Sequence, residues 1–521
     1  DNIKVMFFVG INDGNVPKKA DSRSVLSESD REYLEDKGIV MSASVREKAF
    51  TQRFYLYLIM TKSAEKLYMS YAVKNSEGAV LMPSYIIRSM RKMFSHCLKL
   101  SYKDTAQQNS YVTIPRAANS FDNTEIAANI DEDIIDSLTG GRLVGSVTSF
   151  ENFAECPLRY YLRYGVDLKE REEFTFSPVN FGVVLHAVIR EVCDEIKKNG
   201  ESYYLISEEK RREMVKRSVA AITDIYQNSI LKDSSRNSFM IKRMEDLADR
   251  TIWAMGEQLK CGDFVPFVFE HKFNMEVGDG DRKQLMSGTI DRVDICENGT
   301  DVYVRIIDYK TGKKDFNIVK TYYGIDIQLM VYMEAAMKLV AKMRPGKNVI
   351  PAGVFYYNIS DPIVSATTES AEEIEDKIKG ELRLKGMVNS DKDIAEKMDN
   401  TEGTSLNIPV SRKADGGFDS RRSKVMNTEQ FNILGRFVDV RAIDTADRIV
   451  GGDIRRSPYK DGQFSSCDRC PYGAVCGFSV DLPGCNYRKL KKFDDEVLWN
   501  NIKEGVDENG KKMDTGAEER D

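Results

Sequence analysis

The chain has 521 residues, of which 41% are hydrophobic and 30% charged, with a formal net charge of −6. This composition suits roughly two to four folded domains and excludes a wholly disordered or low-complexity protein. No run approaches the ~18 apolar residues of a membrane span and no signal peptide is visible, so the reading is a cytoplasmic protein with no membrane role. The acidic balance argues against a uniformly basic nucleic-acid coat, yet basic runs occur at 88–93, 310–314, 421–424 and 488–492. Most such runs are solvated faces. Nine cysteines without a secretion signal point to a reducing compartment, where cysteines serve packing, metal ligation or catalysis rather than disulfides. The opening DNIKVMFFVG reads as a strand with no initiator Met, so a piece of a longer protein is expected.

In chain order, residues 3–11 read as a buried strand and NDGNVP as a turn. A helix-rich stretch and a second strand at 66–72 complete a first region, 1–100. Residues 101–145, rich in Ser, Asn, Asp and Thr, read as a polar linker. From Ser146 the texture turns aromatic and helical. Residues 181–198 carry an apolar stripe of Phe181, Leu185, Val188 and Val192 at helical spacing. Helices continue to about 260, strands dominate 265–310, a helix is predicted over 321–343 and a strand over 351–359. The main region spans 146–485 and ends in a Cys-rich stretch. Residues 486–521 read as a frayed polar tail.

The strand VYVRIIDYK (302–310) changes along one face from Val302, Val304 and Ile306 to Asp308 and Lys310. The plain alternative is a strand end reaching solvent with a weak ion pair. The neighbouring sequence argues for more. Asn298-Gly299 is a hairpin signal, and a two- or four-residue loop centred there pairs residues so that Asp291 lies opposite Ile306, diagonal to Asp308 and on its face. Asp294 falls on the other face. A turn at Asp279-Gly280 sets Glu270 opposite Thr289, again on the Asp291 face. Three carboxylates so close repel one another, which a hard divalent cation such as Mg²⁺ relieves. Lys310 would then face charge growing on a phosphate. His186, four residues after Gly182 on a helix, is a further candidate metal ligand, although a lone helical His is more often a core residue. Gln328 and Tyr332 repeat the i, i+4 spacing.

Cys467, Cys470 and Cys476 form a C-x2-C-x5-C stretch. The fourth ligand is Cys485, near in sequence, or Cys156, far away. Four thiolates suit zinc or an iron–sulfur cluster, and spacing alone leans to zinc.

Taken in order, Cys-Pro-x-x-Tyr (156–160), Gly-x-x-x-His (182–186), Gly-Thr-Ile-Asp-Arg-Val-Asp (288–294), Ile-Asp-Tyr-Lys-Thr-Gly (307–312), Gln-x-x-x-Tyr (328–332) and C-x2-C-x5-C resemble the RecB-type branch of the PD-(D/E)xK nucleases in its iron–sulfur form. The resemblance covers about 146–485. It implies an α/β, restriction-endonuclease-like core, with a mixed central sheet flanked by helices. It also implies catalytic roles for Asp291, Asp308, Lys310, Gln328 and Tyr332, and a metal held by His186, Asp291 and Asp308, to which the register adds Glu270. It selects Cys156 over Cys485, so that Cys156, Cys467, Cys470 and Cys476 would hold a 4Fe-4S cluster that staples the domain.

The stretch FFVGINDGNVP (7–17) and RFYLYLIMTKSAEKLYMSYA (53–72) resemble the end of a UvrD-like helicase domain, with Thr61-Lys62-Ser63 where that family carries Thr-Arg-Ala. Lys does not reproduce the planar fork of Arg, and the chain has no G-x4-G-K-[ST], so ATP hydrolysis by these residues is not expected. A degenerate helicase end joined to an iron–sulfur nuclease is similar to the AddB family, the second component of the bacterial AddAB helicase–nucleases. That similarity implies an exonuclease acting on double-strand DNA ends and single strands for recombinational repair. It further implies cleavage of the 5′-terminated strand and a heterodimer with an AddA-like motor. The rival readings are a non-catalytic DNA-binding scaffold and a stand-alone iron–sulfur exonuclease of the CRISPR-adaptation type.

Overall fold

A computed structural model gives the fold and describes residues 3–18, 27–39, 44–74, 80–94, 129–131, 134, 144–169, 178–225, 235–277, 284–364, 370–480 and 485–518. The expected linker at 101–145 and the turn at 279–280 lie almost wholly outside these residues. The chain divides into two compact units, 1–124 with 478–486, and 125–477 with 487–521. Among the described residues, no helix is long and apolar enough to cross a membrane.

In the first unit, strands β1 (Ile3–Phe8) and β2 (Ser63–Met69) pair in parallel. Helix α1 (Val45–Met60) precedes β2 and is started by a capping box of Ser44 and Glu47. The segment Thr61-Lys62-Ser63 joins that helix to the strand. Asn12, in the predicted turn, is buried and clamps Ala72 through both its amide groups (2.7 and 3.0 Å).

In the second unit, seven strands of the described residues form one mixed sheet. They are β3 (Val144–Ser146), β4 (Val265–Val277), β5 (Gln284–Asn298), β6 (Asp301–Lys310), β7 (Asn348–Asn358), β8 (Lys385–Asn389) and β9 (Val425–Met426). The order is β3-β5-β6-β7-β8-β9, with β4 also paired to β5. Period-2 alternation sends Val293, Ile295, Val302, Val304 and Ile306 to one face, which helices α2 (Gln328–Met343) and α3 (Thr428–Val450) cover. The other face, with Tyr303, Ile307 and Tyr309, is covered by α4 (Pro178–Lys198) and α5 (Ser235–Lys260). Having helices on both faces explains why β6 is buried along nearly its whole length.

Three expectations change. The β5–β6 hairpin closes at Asn298–Asp301, so its loop is Gly299-Thr300. Gly299 alone of the two takes a positive φ, 59°, the arrangement with glycine first in the turn. The register therefore shifts by two residues. Arg292 pairs with Ile307, and Asp291, the next residue along, comes level with Asp308 rather than Ile306. The predicted helix over 321–343 is broken. A short helix ends at Tyr322, Gly324 turns the chain at φ 76°, and a new helix starts at Gln328. The predicted polar tail is a helix, Asp495–Glu518, whose Leu498 and Ile502 are buried in the core beside Phe437. These two positions are one turn apart, and that apolar stripe anchors the element.

Asp294 lies on the face opposite Asp308, as alternation requires. It is fully buried and is bound by Arg292 (Nε to Oδ1 2.7 Å, Nη2 to Oδ2 2.6 Å) and by Arg305 (Nε to Oδ2 2.9 Å). Burial alone would raise its pKa, but the two guanidiniums hold the carboxyl below the usual carboxylate range. Asp294→Ala leaves two buried cations facing each other without their shared anion. Urea denaturation should show a loss of roughly 3–5 kcal/mol. Asp308→Ala, which removes a carboxylate from a crowded pair, should cost far less in the same assay.

Candidate active site

The site forms where the middle of β4 and β5 meets the C-terminal end of β6, beside α4 and α2. Asp291 and Asp308 are both nearly excluded from solvent. The backbone N–H of Tyr309 donates to Asp291 Oδ2 at 2.6 Å, which fixes that carboxylate against β6. The Lys310 ammonium pairs with Asp308 Oδ2. Burial, and then the charge of Asp291, pushes the Asp308 carboxyl well above its ordinary pKa, with Lys310 opposing.

His186 comes from α4. Its Nδ1 lies 3.5 Å from Glu270 Oε1 and 3.5 Å from Asp291 Oδ1. Burial would lower its pKa, but hydrogen bonds and charge from Asp291 and Glu270 hold it at about 10. Tyr309 packs edge-on against the ring at 5.9 Å and fixes its plane. Glu270 reaches this point through an irregular strand. The β4–β5 register shifts between Pro266 and Val268, and Glu270 falls between the pairs Phe269–Arg292 and His271–Ile290. It thus faces Asp291 rather than the expected Thr289. Its φ is +47°, in the left-handed region where a side chain costs energy. Donor atoms of His186, Glu270 and Asp291 all lie within 4.8 Å of one another. One nitrogen and several carboxylate oxygens at that spacing form a donor set for a hard or borderline divalent cation.

Gln328 opens α2. Its Nε2 donates to Asp308 Oδ1 at 3.0 Å and lies 3.0 Å from the Tyr332 hydroxyl. Gly288 on β5 makes room for Tyr332, since a Cβ there would lie 3.0 Å from the Tyr332 ring and 2.7 Å from that of Phe273. Gly182 is different. A Cβ there meets only Thr311, at an ordinary 3.6 Å, so packing within the chain does not demand glycine at that position.

Sequence reasoning missed a second layer. Glu151, in helix α6 (Val147–Glu155), accepts the backbone N–H groups of Ile327 (2.9 Å) and Gln328 (3.0 Å) on one oxygen. It caps the helix that carries Gln328, in place of a side chain from Ile327. Burial raises the Glu151 pKa to about 7, with Lys314 opposing. Lys314 pairs with Asp326 at 3.0 Å and lies 4.5 Å above the Tyr356 ring, and the Tyr356 hydroxyl donates to Asp326 at 2.6 Å. Lys314 belonged to a run read as solvated, and Glu151 sits 177 positions from the amide it caps.

The cysteines gather elsewhere in the same unit. Burial pushes the Cys467 thiol up to about 11, and the thiols of Cys156, Cys470 and Cys476 add to the rise. Cys485, the alternative fourth ligand, belongs with residues 478–486 to the other unit. Hydrogen bonds hold the two ends of this region together. The Ser466 hydroxyl donates to Glu155 O at 3.4 Å, Arg488 Nη2 donates to Ala154 O, and the Tyr472 hydroxyl donates to Leu168 O at 2.9 Å.

The backbone at Glu270 gives a direct test. In an ordinary strand Ala is more stable than Gly. Here Glu270→Gly should be more stable than Glu270→Ala by about 1 kcal/mol, because only glycine adopts positive φ without cost. Thermal unfolding of the two variants reads the difference, and the reverse order would show that residue 270 has an ordinary strand conformation.

The family model described as the PD-(D/E)XK nuclease superfamily matches residues 145–477. Curated relatives, each named as the B component of an ATP-dependent helicase/deoxyribonuclease, align over nearly the whole chain. The protein from Lachnoclostridium phytofermentans is 31% identical over 570 residues, covering 99% of this chain and 49% of its own length. Those from Clostridium acetobutylicum (30% over 565 residues, 98% and 49%) and Caldanaerobacter subterraneus subsp. tengcongensis (31% over 578 residues, 100% and 49%) are similar to the same extent. The chain spans about half the length of the curated relatives it matches. With the matched segment covering both the carboxylate site and the cysteine region, the chain belongs to the PD-(D/E)XK nuclease superfamily.

Proposed function

We propose that this chain carries the Mg²⁺-dependent deoxyribonuclease of a helicase–nuclease complex that processes double-strand DNA ends for recombinational repair. The observation that carries this reading is the convergence of His186, Glu270 and Asp291 on one point, with Asp308, Lys310 and Gln328 beside it. His186, Glu270, Asp291 and Asp308 would hold the ion. Bound there, Mg²⁺ supplies Lewis acidity at a phosphate oxygen and acidifies water. Gln328 keeps Asp308 in place through its Oδ1. Lys310, which pairs with Asp308, would offer its ammonium to charge growing on the phosphate. His186 must give up its proton to act as a ligand. ATP hydrolysis belongs to a separate AddA-like motor, and the nuclease acts on the 5′-terminated strand. The name shared by the relatives supports a helicase–deoxyribonuclease setting.

The test is strand-specific digestion of an end-labelled duplex with Mg²⁺, with and without the motor protein. Asp291→Ala, Asp308→Ala and Lys310→Ala should each reduce cleavage by at least a thousandfold, about 4 kcal/mol of transition-state stabilisation, with little change in DNA binding. A fully active Asp308→Ala enzyme would sink the site assignment.

We also propose that Cys156, Cys467, Cys470 and Cys476 hold a 4Fe-4S cluster. Their mutual influence on Cys467 supports a common ligand set. Four thiolates suit zinc as well as an iron–sulfur cluster, and the resemblance of the six ordered motifs to the iron–sulfur nucleases favours the cluster. Closing the loop from Cys156 to Cys467 would stabilise the domain by about 5–6 kcal/mol if it acts as a long cross-link does. Each of the four Cys→Ala variants should lose iron and become protease-sensitive, whereas Cys485→Ala should retain iron. Elemental analysis of anaerobically purified protein decides between iron and zinc.

A further inference from the structure

The sequence places basic runs at 310–314 and 421–424, more than a hundred positions apart, on a chain whose net charge is −6. The sheet brings them to one edge. Along β6 and β7, Asp308 pairs with Tyr356 and Lys310 with Asn358, and Tyr356 pairs in turn with Lys385 on β8. Lys385 therefore lies level with Asp308, two strand spacings away, or about 10 Å. Strand β9 runs parallel to β8, and Val388 N–H donates to Lys424 O at 3.0 Å, so residues 421–424 enter the sheet at this same end.

A direct ion pair joins the two runs. Lys424 Nζ meets Asp315 Oδ2 at 2.5 Å, and Asp315 follows directly on the 310–314 run. The backbone beneath is ordered. The Ser423 hydroxyl accepts from Ser411 N (2.9 Å) and donates to Ser411 O (3.1 Å). Lys424 N donates to Pro409 O (2.8 Å), and Asp419 Oδ1 accepts from Arg421 N (2.9 Å). Likewise Lys314 N donates to Asn358 Oδ1 at 2.9 Å. Lys313, Arg421 and Arg422 are exposed, and among the described residues none of the three forms an ion pair. The acids nearby are engaged, Asp315 by Lys424 and Asp419 by a backbone amide.

A solvated face needs no such convergence. Unpaired cations on fixed backbone, leading away from the carboxylate site on an otherwise acidic chain, fit a polyanion that has one phosphate at Asp308 and its neighbours on the edge. Asp308 is only 2% exposed, which suits a single strand that can bend inward rather than a rigid duplex. We propose that Lys313, Lys385, Arg421 and Arg422 form a track for the phosphodiester backbone of single-stranded nucleic acid, running from the active site across the edge of β7, β8 and β9. This rests on the nuclease reading of the carboxylate site.

The test uses the full-length chain with Lys313→Glu, Arg421→Glu and Arg422→Glu combined. Binding of a long oligothymidylate is measured over a range of salt without divalent metal, and cleavage of the same strand with Mg²⁺. The affinity should fall at least tenfold at low salt. The slope of log affinity against log salt should flatten by about two, at roughly 0.7 for each lost phosphate contact. The cleavage defect should appear in KM, with kcat within twofold. Arg421→Lys with Arg422→Lys should retain the wild-type slope, which a general folding defect would not allow. Unchanged affinity and slope would overturn the track, and so would a defect confined to kcat. A wild-type chain that binds through this edge but cleaves nothing would remove the nuclease reading and leave the track standing.

Discussion

Two carboxylates on adjacent strands, Asp291 and Asp308, repel each other in a buried site, and the polar contacts around them answer that repulsion. Asp308 is met by Lys310 and by the amide of Gln328, Asp291 by the backbone of Tyr309 and by the His186 ring. Glu270 adds a third anion through a left-handed backbone conformation that an ordinary strand does not use. Strain and like-charge crowding both disfavour the folded metal-free state. Their coincidence at one point is the pattern of a functional site rather than of a structural one.

The same strand β5 solves the opposite problem on its other face. Asp294 is a single carboxylate between two buried guanidiniums, and that cluster has cations in excess. The short segment from Asp291 to Asp294 therefore carries two acids with different tasks. Asp291 lies in an acid-rich cluster with Glu270 and Asp308. Asp294 is neutralised by the protein and removed from solvent. Alternation along the strand is the physical reason that they cannot exchange roles.

What the sequence disclosed follows from the range of each interaction. The placement of Asp294 away from Asp308 was legible, because parity survives an error of two residues. The assumed turn centre was wrong by one position, yet Asp291 still came beside Asp308, and Glu270 beside Asp291. Register was not legible, because Asn-Gly does not say which residue opens the turn, and because a bulge and a positive φ at a glutamate carry no compositional mark. Gln328 and Tyr332 were found by their helical spacing. Glu151, Asp326 and Lys314 were not, since each acts across the fold on a group far away in sequence. The helix at 495–518 was misread for a different reason: its many charges hid the buried pair Leu498 and Ile502, one helical turn apart.

Glu151 also links the two halves of the second unit. The helix Val147–Glu155 ends at Cys156, and its last turn is tied by Ser466 and Arg488 to the cysteine region more than 300 positions away. On the same helix, Glu151 caps α2, and the first side chain of α2, Gln328, holds Asp308. From Cys156 to Asp308 the path is continuous in covalent and hydrogen-bonded contact. No thiol need touch the reaction for the cysteine region to matter to it. The helix capped by Glu151 gains its orientation from a segment that the far end of the chain pins, and a Gln328 displaced by about one ångström no longer meets Asp308 at hydrogen-bond distance. Attachment of the cysteine region and placement of Gln328 at the carboxylate are thus two consequences of where one nine-residue helix is held.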